Sequence, residues 1–398
     1  MAALEHKKRG KLMAVLLVIV ALALVVYYIA LPRYAAHMDA QMNQALESGP
    51  YTVSEPAQRL HDSLIVADMH GDFLLWNRDF LEQSDRGLID LPRLRKGNLS
   101  LQAFTIVSKV PKGINIHKNT ADSDQITLLA FAQHWPFKAL NSLKERALFQ
   151  SKKLHDYADR SAGQFTLIKT KSDLADFVAA RQDGQKITAG FLGIEGAQVL
   201  EGDLANVKTM FDAGFRMMAA THFFDTELGG SAHGVSLGGL TDFGAQVFQD
   251  MQQRGMLIDI AHASPKLIDD ILAQATTPVV SSHTGVRGVC DNQRNLNDAH
   301  IKGVAKTGGM IGVGFWDVAV CDPSPKGIVT AIKYVADLVG VDHVGLGSDF
   351  DGAITAPFDA GGMALITEEL MNVGFAEEDI RKIMGGNALR ILGQTLPE

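Results

Sequence analysis

From residue 64 onward, short apolar runs rich in Val, Ile, Leu and Ala alternate with longer amphipathic stretches. The runs are Leu64–Met69, Leu99–Val107, Ile187–Ile194, Phe215–Thr221, Met256–Ala261, Pro278–Ser282, Met310–Phe315 and His343–Gly347. Each has strand length, and strands alternating with helical segments indicate a parallel sheet. Eight such units predict an α/β fold, a (β/α)8 TIM-like barrel, with a doubly wound open sheet as the competing architecture. The stretch Phe243–Arg254 places Phe243, Val247, Phe248 and Met251 on one helical stripe, and Gly255 supplies a C-cap before the next strand. Residues 120–160 form a long insertion after the second strand and are expected to be helical. Its His134 and His155 fall outside any recurring pattern and are read as surface or packing residues.

The pattern changes character near the N-terminus. Leu12 to Leu31 contains no charge, and twenty residues at helical rise span roughly 30 Å, about one hydrocarbon core. Lys7, Lys8, Arg9 and Lys11 precede this run and only Arg33 follows closely, a bias that leaves the N-terminus in the cytoplasm. The expected organisation is a basic cytoplasmic tail over 1–11, a transmembrane signal anchor over 12–31, a polar stalk or linker over 32–60 and a barrel over 61–398 outside the cytoplasm. A cleaved signal peptide is the alternative. Against it, the run exceeds the usual ~7–15-residue signal core, and Tyr34-Ala35-Ala36 is a poor cleavage site. No cysteine near the segment offers a lipid-modified anchor.

Composition narrows the function. Hydrophobic residues make up 46% of the 398, enough for a large core. The formal charge is −8, and most of the basic excess sits around the apolar segment, so the body is more acidic still. Such a body is a poor partner for nucleic acid. Two cysteines, Cys290 and Cys321, exclude a four-cysteine zinc site; a single disulfide or two buried thiols both fit.

Polar residues recur where the apolar runs end. His70 and Asp72 follow the first run, Glu195 the third, His222 the fourth, His262 the fifth, His283 the sixth and Asp349 the eighth. In a parallel barrel these positions share the C-terminal face, where active sites lie. A lone His-x-Asp is weak evidence, but alternating residues in extended chain point the same way, so His70 and Asp72 can reach one ion. Imidazole nitrogens and carboxylate oxygens without thiolate suit a catalytic zinc-like centre rather than a structural cage. Five candidate ligands, His70, Asp72, Glu195, His262 and His283, exceed the needs of one open site. Two ions are therefore expected, with Glu195 bridging them.

These residues, with Leu240-Thr241-Asp242-Phe243-Gly244, Asp259-Ile260-Ala261-His262-Ala263-Ser264, Arg294-Asn295 and Gly347-Ser348-Asp349-Phe350-Asp351-Gly352, resemble the motifs of the membrane (renal-type) dipeptidases. That is peptidase family M19 of the amidohydrolase superfamily, and the resemblance covers roughly residues 60–395. It implies a zinc-dependent dipeptidase with two Zn2+ per chain. His70 and Asp72 match the ligands of one zinc, His262 and His283 those of the other, and Glu195 the bridge. His222 matches a non-ligand histidine that contacts substrate and its developing oxyanion, Arg294 a substrate-holding residue, and Asp349 the aspartate of proton transfer and substrate-amine contact. Cys290 and Cys321 match a disulfide pair. A homodimer is also implied.

The segment from His222 to Gly234 departs from the mammalian form and looks like a bacterial subgroup's loop. The tether is N-terminal rather than a C-terminal lipid, which together imply a bacterial inner-membrane protein with a periplasmic barrel. The expected chemistry is attack on a dipeptide amide by a hydroxide bridging the two ions. Deacylation or lactone opening would use the same site, and an inactive membrane-tethered binding barrel is the non-enzymatic reading. Asp351 is expected to shape the turn before Gly352 rather than serve as the acid. His233 is expected to be solvent-exposed on its glycine-rich loop, and Trp316 and Asp317 either line a pocket or pack.

Overall fold

The computed structural model describes residues 2–398. Eight strands carry the barrel: β1 (Val66–Gly71), β2 (Leu99–Val107), β3 (Thr188–Glu195), β4 (Phe215–Ala219), β5 (Leu257–Asp259), β6 (Val279–Thr284), β7 (Met310–Val313) and β8 (Val344–Leu346). Each pairs in parallel with the next, and β8 pairs with β1 through Leu346 and Asp68, so the sheet closes and the open doubly wound alternative is excluded. One further short strand, Phe165–Leu167, pairs beside the start of β3. Each strand overlaps the apolar run that predicts it. Where they differ, chiefly at the ends, local hydrogen bonding rather than hydrophobicity decides where a strand stops.

Side-chain alternation divides the core in two. Leu101 and Ala103 of β2, Ala189 and Phe191 of β3, and Met217 of β4 fill the barrel interior. Ala388, Ile391 and Leu392 of the C-terminal helix Asn387–Thr395 pack into the same cluster. Phe104, Leu192, Ile194 and Met218 face outward into the layer between strands and helices. Continuing the period of two up β2 and β3 brings Thr105 and Glu195 to the inner face at the C-terminal end.

The helix Asp242–Arg254 is capped by the Thr241 side chain, which accepts from Gly244 N, and ends at Gly255 in the left-handed region (φ 73°). The long insertion folds as three helices, Ile126–Ala132, Phe137–Asn141 and Leu143–Arg160.

The N-terminal segment is helical over Ala2–Val25, makes a π turn over Val26–Ala30 and continues as a helix over Leu31–Met42. Its apolar part is a candidate membrane span with none of its residues buried by protein. The segment read as a stalk is not free of the barrel. Asp39 is buried beside Arg78 (3.0 Å to Nε) and accepts from Arg86 Nε (3.0 Å). Gln44 and Ala45 pair with Thr355 and Ala356 beyond β8. A polar composition hid this docking because the contacts are charged rather than apolar.

Candidate functional site

The predicted ligands meet at the C-terminal mouth of the barrel. Glu195 ends β3 with its carboxylate at the centre. His262 Nε2 lies 3.0 Å, His283 Nε2 3.4 Å and His70 Nε2 3.5 Å from its Oε1, while His222 Nε2 lies 3.4 Å from its Oε2. Asp72 Oδ1 and Asp349 Oδ1 are 3.6 Å and 3.9 Å from His70 Nε2. All of these side chains are buried. Three overlapping sets have ligand atoms within 4.8 Å of one another: His70, Glu195 and His283; Glu195, His222 and His262; and His70, Asp72 and Asp349. His222 therefore stands at ligand distance as well as at the cleft.

Backbone irregularities aim several of these groups. The β1–β2 register shifts between Asp68 and Gly71, and the β6–β7 register shifts between Ser281 and Thr284. Ala67, Met69 and Val280 face the interior, so strict alternation would turn His70 and His283 outward; the irregular segments turn them in. His262 and Asp349 adopt left-handed backbone (φ 62° and 63°), sparsely populated for residues with a Cβ and common at functional sites.

A layer of hydrogen bonds orients the imidazoles and carboxylates. His70 Nδ1 and His283 Nδ1 each lie 3.0 Å from Ser282 Oγ. A hydroxyl oxygen accepts two bonds, so both Nδ1–H groups can donate to it and leave both Nε2 lone pairs facing the site. Thr105 Oγ1 donates to Asp72 Oδ1 at 2.6 Å. Asp259 Oδ1 accepts from the amides of Ala261 and Ser282, each at 2.9 Å, tying β5 to β6 beside His262 and His283.

The donor set fits divalent metal. His70 Nε2 is buried without a hydrogen-bond partner, and His262 Nε2 and His283 Nε2 approach to 3.0 Å. An unpartnered ring nitrogen is costly in a dry site unless a cation receives its lone pair. Electrostatics agree. Burial, then the neighbouring Asp72, pushes the Glu195 carboxyl well above its ordinary range. Burial pulls His70 down, but the Glu195, Asp72 and Asp349 carboxylates outweigh it and push it up to about 10. Burial holds His222, His262 and His283 well below the ordinary histidine value, as neutral imidazoles. The carboxylates draw a proton onto His70 while the other three imidazoles stay neutral, so positive charge is favoured at the centre of the cluster and a bound cation would take that proton's place.

The cluster opens into a cleft of about 1600 Å3, lined by His222, Arg294, Trp316, Asp317 and Asp349 among others. Arg294 is buried and donates through Nη2 to His283 O (2.8 Å) and through Nη1 to Thr284 Oγ1 (3.2 Å), leaving further donors of its fork for a ligand. Trp316 lies under its guanidinium at 5.9 Å and lines the cleft rather than only packing. Burial lowers Arg294 to about 10.

Two expectations change in detail. His233 is buried, not exposed: its Nδ1 donates to Ile116 O (2.7 Å) and its ring lies 5.3 Å from that of His262. The loop's glycines let it fold inward, where Gly234 packs against Asp225. Asp351 is held by Arg78 Nη2 (2.5 Å) and by the amides of Leu88 (2.7 Å) and Ile89 (3.3 Å), which is more than a turn-shaping role. Cys290 and Cys321 are joined by a disulfide. Of the surrounding residues, Thr105 was missed; the period of two in β2, continued from Leu101 and Ala103, is the signal that finds it.

The model of the membrane dipeptidase family, peptidase family M19, matches residues 54–396. Dipeptidase aclJ of Aspergillus oryzae is 25% identical over 360 residues, covering 85% of this chain and 80% of that protein. Among solved structures, the probable dipeptidase PvdM of Pseudomonas aeruginosa superposes with a TM-score of 0.72 at 20% identity, over 86% of this chain and 98% of that one. A metallo peptidase of Rhodobacter sphaeroides, solved with a phosphinate mimic of the dipeptide L-Ala-D-Ala, superposes with a TM-score of 0.65 at 22% identity, over 83% and 99%. At these identities the superpositions speak for the fold, whereas the family model spans the barrel and every residue of the buried cluster. The chain belongs to the membrane dipeptidase family, M19.

Proposed function

We propose that this chain hydrolyses the amide bond of dipeptides, including those with a C-terminal D-residue, using two zinc ions. The observation that carries the reading is the convergence on Glu195 of His70, His222, His262 and His283, beside Asp72 and Asp349, with a buried arginine facing the same cleft. His70 and Asp72 would hold one ion, His262 and His283 the other, with Glu195 between them. Bound ions supply a nucleophilic water at neutral pH and polarise a carbonyl oxygen. Arg294 presents its remaining donors to the substrate carboxylate, a charge-assisted contact that favours peptides with a free C-terminus. His222, neutral because it is buried, donates a hydrogen bond to the oxygen on which charge develops. Asp349, buried at the cleft with its Oδ1 3.9 Å from His70 Nε2, is placed to accept a proton and return it to the leaving amine. The phosphinate dipeptide mimic bound by the Rhodobacter sphaeroides protein supports the substrate class and a D-residue at the C-terminal position.

The N-terminal apolar helix acts as an uncleaved anchor, with the barrel on the extracytoplasmic side of a bacterial inner membrane. The basic residues before the helix support that orientation. A panel of Xaa-Ala and Xaa-D-Ala dipeptides beside N-acetyl amino acids tests the bond. Turnover confined to N-acetyl amino acids would replace the dipeptidase with a deacylase.

A further inference from the structure

The insertion after β2 presents an apolar surface at the rim of the cleft, where Leu128 and Phe131 are among the lining residues. Its first helix, Ile126–Ala132, leaves Leu128 61% and Phe131 41% exposed on one face, three residues apart. Phe137, which opens the next helix, is 78% exposed, and Lys138 follows it. Large apolar side chains left open together mark an interaction surface more often than isolated ones do.

The position of this surface identifies what covers it. Phe131 packs on Tyr27 of the N-terminal helix with ring centroids 5.3 Å apart. The His134 ring lies 4.3 Å from that of Tyr27, and its Nε2 donates to the Tyr27 carbonyl at 2.9 Å. Tyr27 lies inside the uncharged run that ends at Leu31. Four residues at helical rise put it ~6 Å short of that end. If the run spans a bilayer, whatever packs on Tyr27 lies below the membrane surface, at the ~5–10 Å depth of interfacial helices. Tyr27 and Tyr28 are the residue type enriched at that level, and Lys138 has the charge that meets lipid headgroups.

We propose that the insertion around Leu128, Phe131 and Phe137 is a second membrane contact, seated in the leaflet from which the barrel emerges. The inference rests on the anchor reading of the N-terminal helix. The contact fixes the barrel's orientation, because Leu128 and Phe131 themselves line the mouth of the cleft, beside Leu31, Tyr34 and Met38 of the N-terminal helix. The cleft is thereby held at the lipid–water boundary rather than swinging on a tether.

The test uses the full chain in nanodiscs of phosphatidylcholine and phosphatidylglycerol, with and without doxyl-labelled acyl chains. The native cysteines are paired, so one introduced thiol carries an environment-sensitive fluorophore. Labels go at Leu128→Cys, Phe137→Cys, Val20→Cys in the anchor, and Gln185→Cys in the exposed turn before β3, at the opposite end of the barrel. The expected result is quenching at 128 and 137 comparable with that at 20, and none at 185. Quenching at 20 alone overturns the second contact and leaves the anchor standing, with a protein partner as the remaining occupant of the patch. No quenching at 20 overturns the anchor and the contact together. Quenching at 185 equal to that at 128 overturns the proposed orientation.

Discussion

Ser282 is the most informative residue to remove, because one hydroxyl serves two imidazoles. Its Oγ lies 3.0 Å from Nδ1 of both His70 and His283, the proposed ligands of different ions. Ser282→Ala deletes the shared acceptor, and with it both hydrogen bonds, and creates little space. Two buried hydrogen bonds at about 0.5–1.5 kcal/mol each give a loss of ~1–3 kcal/mol in the ordering of the site. Loss of a partner that orients a metal-ligating histidine costs about 10–100-fold in metal affinity. At about 1.4 kcal/mol per tenfold, the two estimates coincide. The assay is competition between the full chain and a fluorescent zinc chelator at fixed pH. The neighbouring Ser281 is the control, since its hydroxyl is buried without a partner. Ser281→Ala should leave zinc affinity unchanged and, by removing an unsatisfied polar atom, not lower thermal stability. An unchanged affinity in Ser282→Ala would refute the shared-acceptor argument, as would an equal loss in Ser281→Ala.

Three further outcomes follow from the same geometry. Glu195→Gln removes the central negative charge while keeping shape, so metal content and dipeptide turnover should fall together, read by elemental analysis beside kinetics. His222→Ala should lower kcat by about 10²–10³ while metal content is kept, the size of effect seen when one oxyanion donor is lost; emptying of the site would reassign His222 as a ligand. Arg78→Met leaves the buried Asp351 carboxylate without its cation and Asp39 with Arg86 alone, and breaking a buried pair costs about 3–5 kcal/mol. The denaturation midpoint should drop accordingly, and a midpoint within error of the parent would show that this link between the N-terminal helix and the barrel carries no stability.

The sequence revealed the barrel because its strands are buried on both faces and therefore read as near-continuous apolar runs. It revealed Glu195 because β3 keeps its alternation to the end, from Ala189 and Phe191 inward to the carboxylate. Thr105 obeyed the same rule in β2 and was legible but unread. His70 and His283 were found by their chemistry and position in the chain, yet their aim depends on register shifts that no hydrophobic pattern encodes. His262 and Asp349 add left-handed backbone that their residue types do not announce. The burial of His233 was hidden by its glycine-rich loop, which reads as exposed until the fold shows it turned into the cleft. The docking of the 32–60 segment was hidden for a different reason. Its anchors, Asp39 and Asn43, pair with Arg78, Arg86 and the Ala353 amide far away in sequence, and charged residues in a helix read as a solvated face.

The central claim is that a two-metal site cleaves dipeptides, and one measurement tests it most directly. The full chain, purified without chelators, is assayed on the Xaa-Ala and Xaa-D-Ala panel before and after metal removal, with zinc counted in the same samples. The account predicts about two zinc ions per chain, dipeptide turnover that disappears with the metal, and its return on adding zinc back. Turnover that survives complete metal removal, or a fully loaded protein that cleaves none of the dipeptides, would contradict it.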